Sequence, residues 1–267
     1  MENDIYENSI IVGADHVNAL GTMKTSAFFS VLQDVSDEHI ALYGAGYNDM
    51  LEQGLLWIIA NQRAEISRMP SLGEKMTVRT WTGSNKHVFL PRYYTVWVGG
   101  EMISKAAICW TFMYSESREL VGAEDCPVHI RTNIEEMKPF ELNPLSGPKP
   151  VKGAVNSVNH AANASSSTDI DTDSDNTGNQ IKEAATDFTV PHEYIDRNGH
   201  MNNSFYFDIA DQLVEAGREP SSITARYTSE AMEGDVLTAN CTSLGSRYYI
   251  TISSNKGNHF KLETILK

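Results

Sequence analysis

Two stretches of the chain carry apolar residues at helical spacing. In the first, Ala27, Phe28, Val31, Leu32 and Val35 recur at intervals of one helical face, and in the second Phe205, Ile209, Leu213 and Val214 do the same. Each pattern ends near a glycine, Gly44 or Gly217, the residue type that most easily takes the left-handed conformation past a helix end. The spacing predicts one helix of about four turns in each place. Runs rich in β-branched and aromatic residues follow each helix: MTVRTW, RYYTVWV and AAICWTFMY after the first, DVLTANCTSL, RYYITIS and HFKLETIL after the second. These read as antiparallel strands. One helix followed by a meander of strands predicts a sheet wrapped around that helix, an α+β unit, and the chain contains the pattern twice.

The two units repeat in sequence as well. NALGTMKTSAFFSVLQDV from Asn18 aligns without a gap to DRNGHMNNSFYFDIADQL from Asp196, with Gly, Met, Ser and Phe coinciding. Further on, AEISRMPSLGEKMTVRTW from Ala64 aligns to ARYTSEAMEGDVLTANCT from Ala225 with the Gly-acidic pair in register. Between the copies, from about Pro144 to Thr186, the composition turns to Ser, Asn, Asp, Gly and Ala, with almost no large apolar residue to offset the entropy of ordering. The organisation expected is therefore a first unit over 1–143, a linker over 144–186 and a second unit over 187–267. The linker's Asp169, Asp171, Asp173 and Asp175 imitate the start of a calcium loop, but the glycine and closing glutamate of such a loop are absent.

Composition narrows the function. The chain has 267 residues, 41% of them hydrophobic, enough for one large core or two smaller ones. A net charge of −14 argues against a nucleic-acid partner. No stretch of about 18 uncharged apolar residues occurs and the N-terminus has no basic leader, so the expectation is a cytoplasmic protein without membrane insertion. Cys109, Cys126 and Cys241 are too far apart for a CxxC metal motif and read as reduced, mostly buried thiols. No metal site, phosphate loop or dinucleotide fingerprint is evident, and no cofactor is implied.

The repeat supplies an internal control for which residues the scaffold needs. Asp196, Asn198 and His200 stand where the first copy has Asn18, Leu20 and Thr22, and Glu230 stands where it has Met69. The second copy thus carries polar chemistry that the fold does not require. An extended Asp-x-Asn-x-His would point all three side chains one way and deliver them to a helix start, whose free N–H groups suit a developing oxyanion. A carboxylate beside an imidazole can activate water near neutral pH. Asp196 and Asn198 as turn residues, and Asn202 or Asn203 as a helix cap, are the structural alternatives.

The D-x-N-x-H-M-N-N run before an aromatic-rich helix resembles the signature of the acyl-acyl-carrier-protein thioesterases, double-hotdog enzymes. LQDVSDEHIALYG and GLLWIIANQRAEISRMPSLGEKMTVRTW are similar to that family's first hotdog. The resemblance implies a tandem hotdog, hydrolysis of acyl-ACP to free fatty acid and acyl carrier protein as partner, and leaves a homodimer open. It carries a catalytic set onto Asp196, Asn198, His200 and Glu230, with Thr228 and Ser229 where the family has arginines. An acyl-CoA thioesterase or a non-catalytic acyl binder of the same fold are the alternatives. With the chemistry in the second copy, the first is expected to form the acyl pocket, from Phe28, Val31 and Trp57. Arg197, Arg218, Arg226 and Arg247 are candidates for a cationic rim facing an acidic carrier protein.

Overall fold

A computed structural model describes residues 5–85, 87–122, 125, 147–151 and 181–267. Most of the expected linker, with Asp169, Asp171, Asp173 and Asp175, lies outside the described residues, as does Cys126. Among the described residues, ten strands form one antiparallel sheet: β1 (Tyr6–Ile11), β2 (Leu55–Ile66), β3 (Lys75–Thr82), β4 (Leu90–Val98), β5 (Glu101–Tyr114), β6 (Ile181–Thr189), β7 (Pro220–Tyr227), β8 (Val236–Leu244), β9 (Arg247–Ser254) and β10 (Gly257–Leu266). Their spatial order is β1-β3-β4-β5-β2-β7-β10-β9-β8-β6. Read from either edge to the middle, the two halves have the same order, so the sequence repeat is a structural repeat. All six strand runs expected from β-branched and aromatic content form strands.

The halves join where β2 pairs with β7, in the register Asn61↔Arg226 to Glu65↔Ser222. In the repeat alignment Arg63 is the counterpart of Thr224, and these two residues face each other, so the pseudo-two-fold axis passes between them. The same axis runs between the helices. Phe29 of α1 (Thr25–Ala41) stacks on its own counterpart Phe207 of α3 (Phe205–Asp211), centroids 4.8 Å apart. A ring pair of this kind adds about 0.5–1.5 kcal/mol beyond the area it buries. Ser26 donates to Asp208 across the same helix contact at 2.6 Å. The central strand β2 is buried along most of its length, whereas the edge strand β6 is mostly exposed.

Two expectations are corrected here. The helices are unequal: α1 has 17 residues, but α3 has only 7. Gln212 and Leu213 already turn, because only eight residues separate Asp211 from the start of β7 at Pro220 and the chain must reverse within them. A short extra helix, α2 (Tyr47–Glu52), follows α1. The second unit also starts earlier than expected, since β6 begins at Ile181 and pairs with β8 from Ile181↔Leu244 onwards. Within the expected linker Val151 is buried, and the backbone N–H of Lys149 donates to Glu263 at 2.8 Å. Cys109 and Cys241 are buried and form no disulfide among the described residues, and burial pushes the Cys241 thiol up to about 11. No helix among the described residues is long and apolar enough to cross a membrane.

Candidate active site

The stretch from Asp196 to His200 is a tight turn, not the extended segment its alternation suggested. The backbone N–H of Asp196 donates to the carbonyl of His200 at 2.9 Å, and Gly199, at φ 81°, donates back to Asp196 at 3.0 Å. The Asp196 side chain closes the turn by accepting from the N–H of Asn198 through Oδ1 at 2.8 Å. That is the turn role available to any aspartate here, and it occupies only one of the two oxygens. The other, Oδ2, lies 3.7 Å from Nδ1 of His200. Turn closure, rather than strand alternation, brings the carboxylate and the imidazole together.

His200 is 4% exposed. Its Nδ1 is also 3.2 Å from the carbonyl oxygen of Met201, and its Nε2 is 3.5 Å from Oε1 of Glu230. Nε2 makes no hydrogen bond among the described residues. The imidazole therefore stands between two carboxylates that are distant in sequence. Glu230 arrives on the loop after β7, and the N–H of Met201 donates to the carbonyl of Ala231 at 2.7 Å, which ties that loop to the turn.

Two residues of the first unit complete the site, and sequence reasoning found neither. The Tyr47 hydroxyl donates to Oδ1 of Asn198 at 2.7 Å, which fixes the amide and leaves Nδ2 to donate elsewhere. Partial burial, and after it the Asp196 carboxylate, raise the Tyr47 hydroxyl above the usual tyrosine range, so it remains a donor at neutral pH. The Arg197 guanidinium lies over the Tyr47 ring, 5.4 Å from its centroid. Arg118, just past the end of β5, donates through Nη1 to Glu230 at 3.0 Å and through Nη2 to the carbonyl of Asn198 at 3.4 Å. Thr228 and Ser229, in the positions where arginines were expected, turn instead to the carbonyl of Asn258, at 2.6 and 2.7 Å.

A cavity of about 750 Å³ opens beside the turn, lined by Asp196 and Asn198 together with Trp57, Ile59, Leu90 and Trp110. The α1 flank facing it carries Gln33, Ser36, Asp37 and Ile40, a helical stripe distinct from the apolar one. Trp57 is in the lining, as expected. Phe28 and Val31 are not: they belong to the main core, where Phe28 packs edge-on against Phe29. The apolar stripe of α1 packs into the core rather than lining the cavity. Arg92, also in the lining, is 4% exposed and sits 2.9 Å from Nδ1 of His39, and burial holds its pKa below the usual arginine range.

The other expectations divide. Asn202 makes a local turn just ahead of α3, whose N-cap is Ser204: its Oδ1 accepts from both the N–H and the hydroxyl of Ser204 at 2.9 Å. The helix start does not lie at the imidazole, because α3 begins at Phe205, five residues beyond His200. Of the arginines considered for a rim, Arg197 lines the cavity. Arg218 bonds to Lys267 and Glu215 beside a second cavity, and Arg247 pairs with Glu263 through Nε at 2.8 Å. Arg226 lies on β7. No cluster of side chains able to hold a metal ion occurs among the described residues.

Comparison with known proteins assigns the lineage. Residues 3–126 match the model of the acyl-ACP thioesterase N-terminal domain, and residues 178–265 match that of the acyl-ACP thioesterase C-terminal domain. The structure of an acyl-ACP thioesterase from Bacteroides thetaiotaomicron superimposes with a TM-score of 0.73 at 18% identity, covering 98% of each chain. A 12:0-ACP thioesterase from Umbellularia californica does so with a TM-score of 0.68 at 18% identity, over 100% of this chain and 98% of the other. The tandem hotdog fold is thereby shown. The oleoyl-acyl carrier protein thioesterase 1 of Arabidopsis thaliana is 22% identical over 95% of this chain and 69% of its own length. An acyl-[acyl-carrier-protein] hydrolase of Cuphea viscosissima is 24% identical over 46% of this chain but only 30% of its own length, so the chain spans under a third of that relative. With both domain models matched in order, one on each side of the linker, the chain belongs to the acyl-ACP thioesterase family.

Proposed function

We propose that this protein hydrolyses fatty acyl thioesters of acyl carrier protein, releasing the free fatty acid and so ending elongation on the carrier. The observation that carries the reading is the turn at Asp196–His200. It sets a carboxylate and an amide in the wall of a cavity that Trp57, Ile59, Leu90 and Trp110 also line, with an imidazole and a second carboxylate beside them. Family membership supports the same reading.

In this mechanism the acyl chain occupies the cavity past Trp57 and the thioester lies at Asp196 and Asn198. Oδ1 of Asp196 is committed to the turn, so Oδ2 accepts the proton of a water whose oxygen attacks the carbonyl carbon. The Asn198 amide, held through Oδ1 by Tyr47, donates from Nδ2 to the carbonyl oxygen as it becomes an oxyanion. The carbon–sulfur bond then breaks, and the leaving thiolate takes up the proton that Asp196 accepted. His200 lies between Asp196 and Glu230, 3.7 and 3.5 Å away, and places an ionisable imidazole beside both carboxylates. Arg197, beside the cavity, offers a local positive charge to an acidic carrier protein on a chain whose net charge is −14.

The test is turnover of acyl-ACP and acyl-CoA over a series of chain lengths, read as free fatty acid and free thiol. Release of both from acyl-ACP, at a higher kcat/KM than from the CoA ester, is expected. Tight binding without release, or a preference for the CoA ester, would contradict the proposal.

A further inference from the structure

We infer that Arg118 is a positioning residue for this reaction, a clamp supplied by the first unit that holds Glu230 and the Asn198 turn of the second in their working arrangement. The inference rests on the participation of Glu230 and Asn198 proposed above.

The geometry is specific. One guanidinium reaches two elements that the sequence separates: Oε1 of Glu230 at 3.0 Å and the carbonyl oxygen of Asn198 at 3.4 Å. The glutamate oxygen it holds is the same one that faces Nε2 of His200. Thr228 and Ser229, the nearest neighbours of Glu230 with side-chain hydroxyls, are both engaged with Asn258. Without Arg118, the only polar contact found for the Glu230 side chain among the described residues is the 3.5 Å approach to His200. That distance is too long to fix a rotamer.

Stability does not account for the clamp. The two side chains are 40% and 31% exposed, and an ion pair so open to solvent contributes between nothing and about 1 kcal/mol. The backbone of Arg118 points the same way. Its φ is 59°, in the left-handed region that disfavours a residue with a Cβ. A short loop imposes that conformation: the N–H of Tyr114 donates to the carbonyl of Glu119 at 2.9 Å, and the N–H of Arg118 donates back to Tyr114 at 3.0 Å. Glycine would sit there with less strain. A strained arginine whose side chain spans into the candidate site is the combination expected where position serves function.

The experiment compares Arg118→Gly, Arg118→Lys and Arg118→Ala with Glu230→Gln. Arg118→Gly should melt at or above the wild-type temperature while kcat for acyl-ACP falls by about tenfold or more and KM changes little, the pattern of lost orientation rather than lost binding. Arg118→Lys should recover only part of the rate, because an ammonium lacks the fork that reaches two acceptors. Millimolar guanidinium chloride should restore part of the rate to Arg118→Ala, whereas sodium chloride at equal ionic strength should not. In the Glu230→Gln background, adding Arg118→Gly should cost less in kcat than it does in the wild type, because part of what the arginine holds is already lost. If Glu230→Gln is impaired but Arg118→Gly keeps wild-type kcat, or if the two losses multiply and guanidinium rescues nothing, the clamp is overturned and the proposed chemistry stands. If Glu230→Gln itself keeps wild-type kcat, the role proposed for Glu230 is wrong and the clamp falls with it.

Discussion

The turn at Asn18–Thr22 and the turn at Asp196–His200 have one backbone and two chemistries. In the first, Asn18 donates to the carbonyl of Thr22 at 2.9 Å, Gly21 donates to Asn18 at 3.0 Å, and Oδ1 of Asn18 accepts from the N–H of Leu20 at 2.9 Å. Each bond has its counterpart in the second turn, at 2.9, 3.0 and 2.8 Å. The flanking bridges match as well, Val17↔Met23 against Ile195↔Met201. A cavity of about 610 Å³ sits beside the first turn too, lined by Asn18, Leu20 and Met69 where the first cavity has Asp196 and Asn198 and, close by, Glu230. Since turn and cavity form in both places, neither Asn198, His200 nor Glu230 is needed to build them. What differs is what the side chains can do to a bound carbonyl: the first turn offers an amide, an isobutyl group and a hydroxyl, and no ionisable group.

The comparison also shows what the second turn borrows. Its two outside contacts, Tyr47 and Arg118, both come from the first unit. The first unit therefore supplies groups that hold the polar site of the other half in place.

The largest expected effect is at Asp196. Asp196→Asn keeps the oxygen that closes the turn, as Asn18 does in the first copy, and loses the carboxylate that accepts a proton. The melting temperature should stay within a few degrees of wild type while kcat falls by about 10²–10⁴-fold. A variant retaining a tenth of the rate would assign the proton transfer to another group.

Tyr47→Phe should cost less, removing one hydrogen bond of about 1 kcal/mol that orients Asn198, so kcat should drop by roughly tenfold or less with KM nearly constant. A change confined to KM would show that Tyr47 holds the substrate and not the amide.

Chain-length preference should move least, and only for residues that line the cavity. Trp57→Ala should shift the preferred length by altering kcat/KM ratios between neighbouring lengths by about tenfold, within the range that methylene-scale fit can supply. Val31→Ala should lower stability by about 1–3 kcal/mol and leave the preference unchanged. A shift of preference in Val31→Ala would place the acyl chain deeper in the core than the cavity indicates.

The difference between Trp57 and Val31 marks where the sequence stops being legible. Helical periodicity says that Phe28 and Val31 are buried, but not whether they are buried against protein or ligand, which depends on the order of strands around α1. The repeat, the helix–meander pattern and the polar set at Asp196, Asn198, His200 and Glu230 were all readable, because each is a local pattern or a difference between two aligned copies. Tyr47 and Arg118 were not, since they lie 151 and 112 residues from their partners and meet them only once the two halves join through β2–β7 and α1–α3. The unequal helices escaped notice for a related reason: Leu213 and Val214 keep helical spacing, but the nearby start of β7 overrides it.

The most direct test of the claim that the turn's side chains, and not its backbone, carry the proposed hydrolysis is to write the first turn into the second. The variant Asp196→Asn/Asn198→Leu/His200→Thr carries the side chains that Asn18, Leu20 and Thr22 place on the same hydrogen-bonded frame. Melting temperature and acyl-ACP turnover should be measured on the same sample. The account predicts a folded protein, cooperative in its melt, with no hydrolysis above the uncatalysed rate. A folded variant that still releases fatty acid at a substantial fraction of the wild-type rate would contradict it and place the chemistry elsewhere in the molecule.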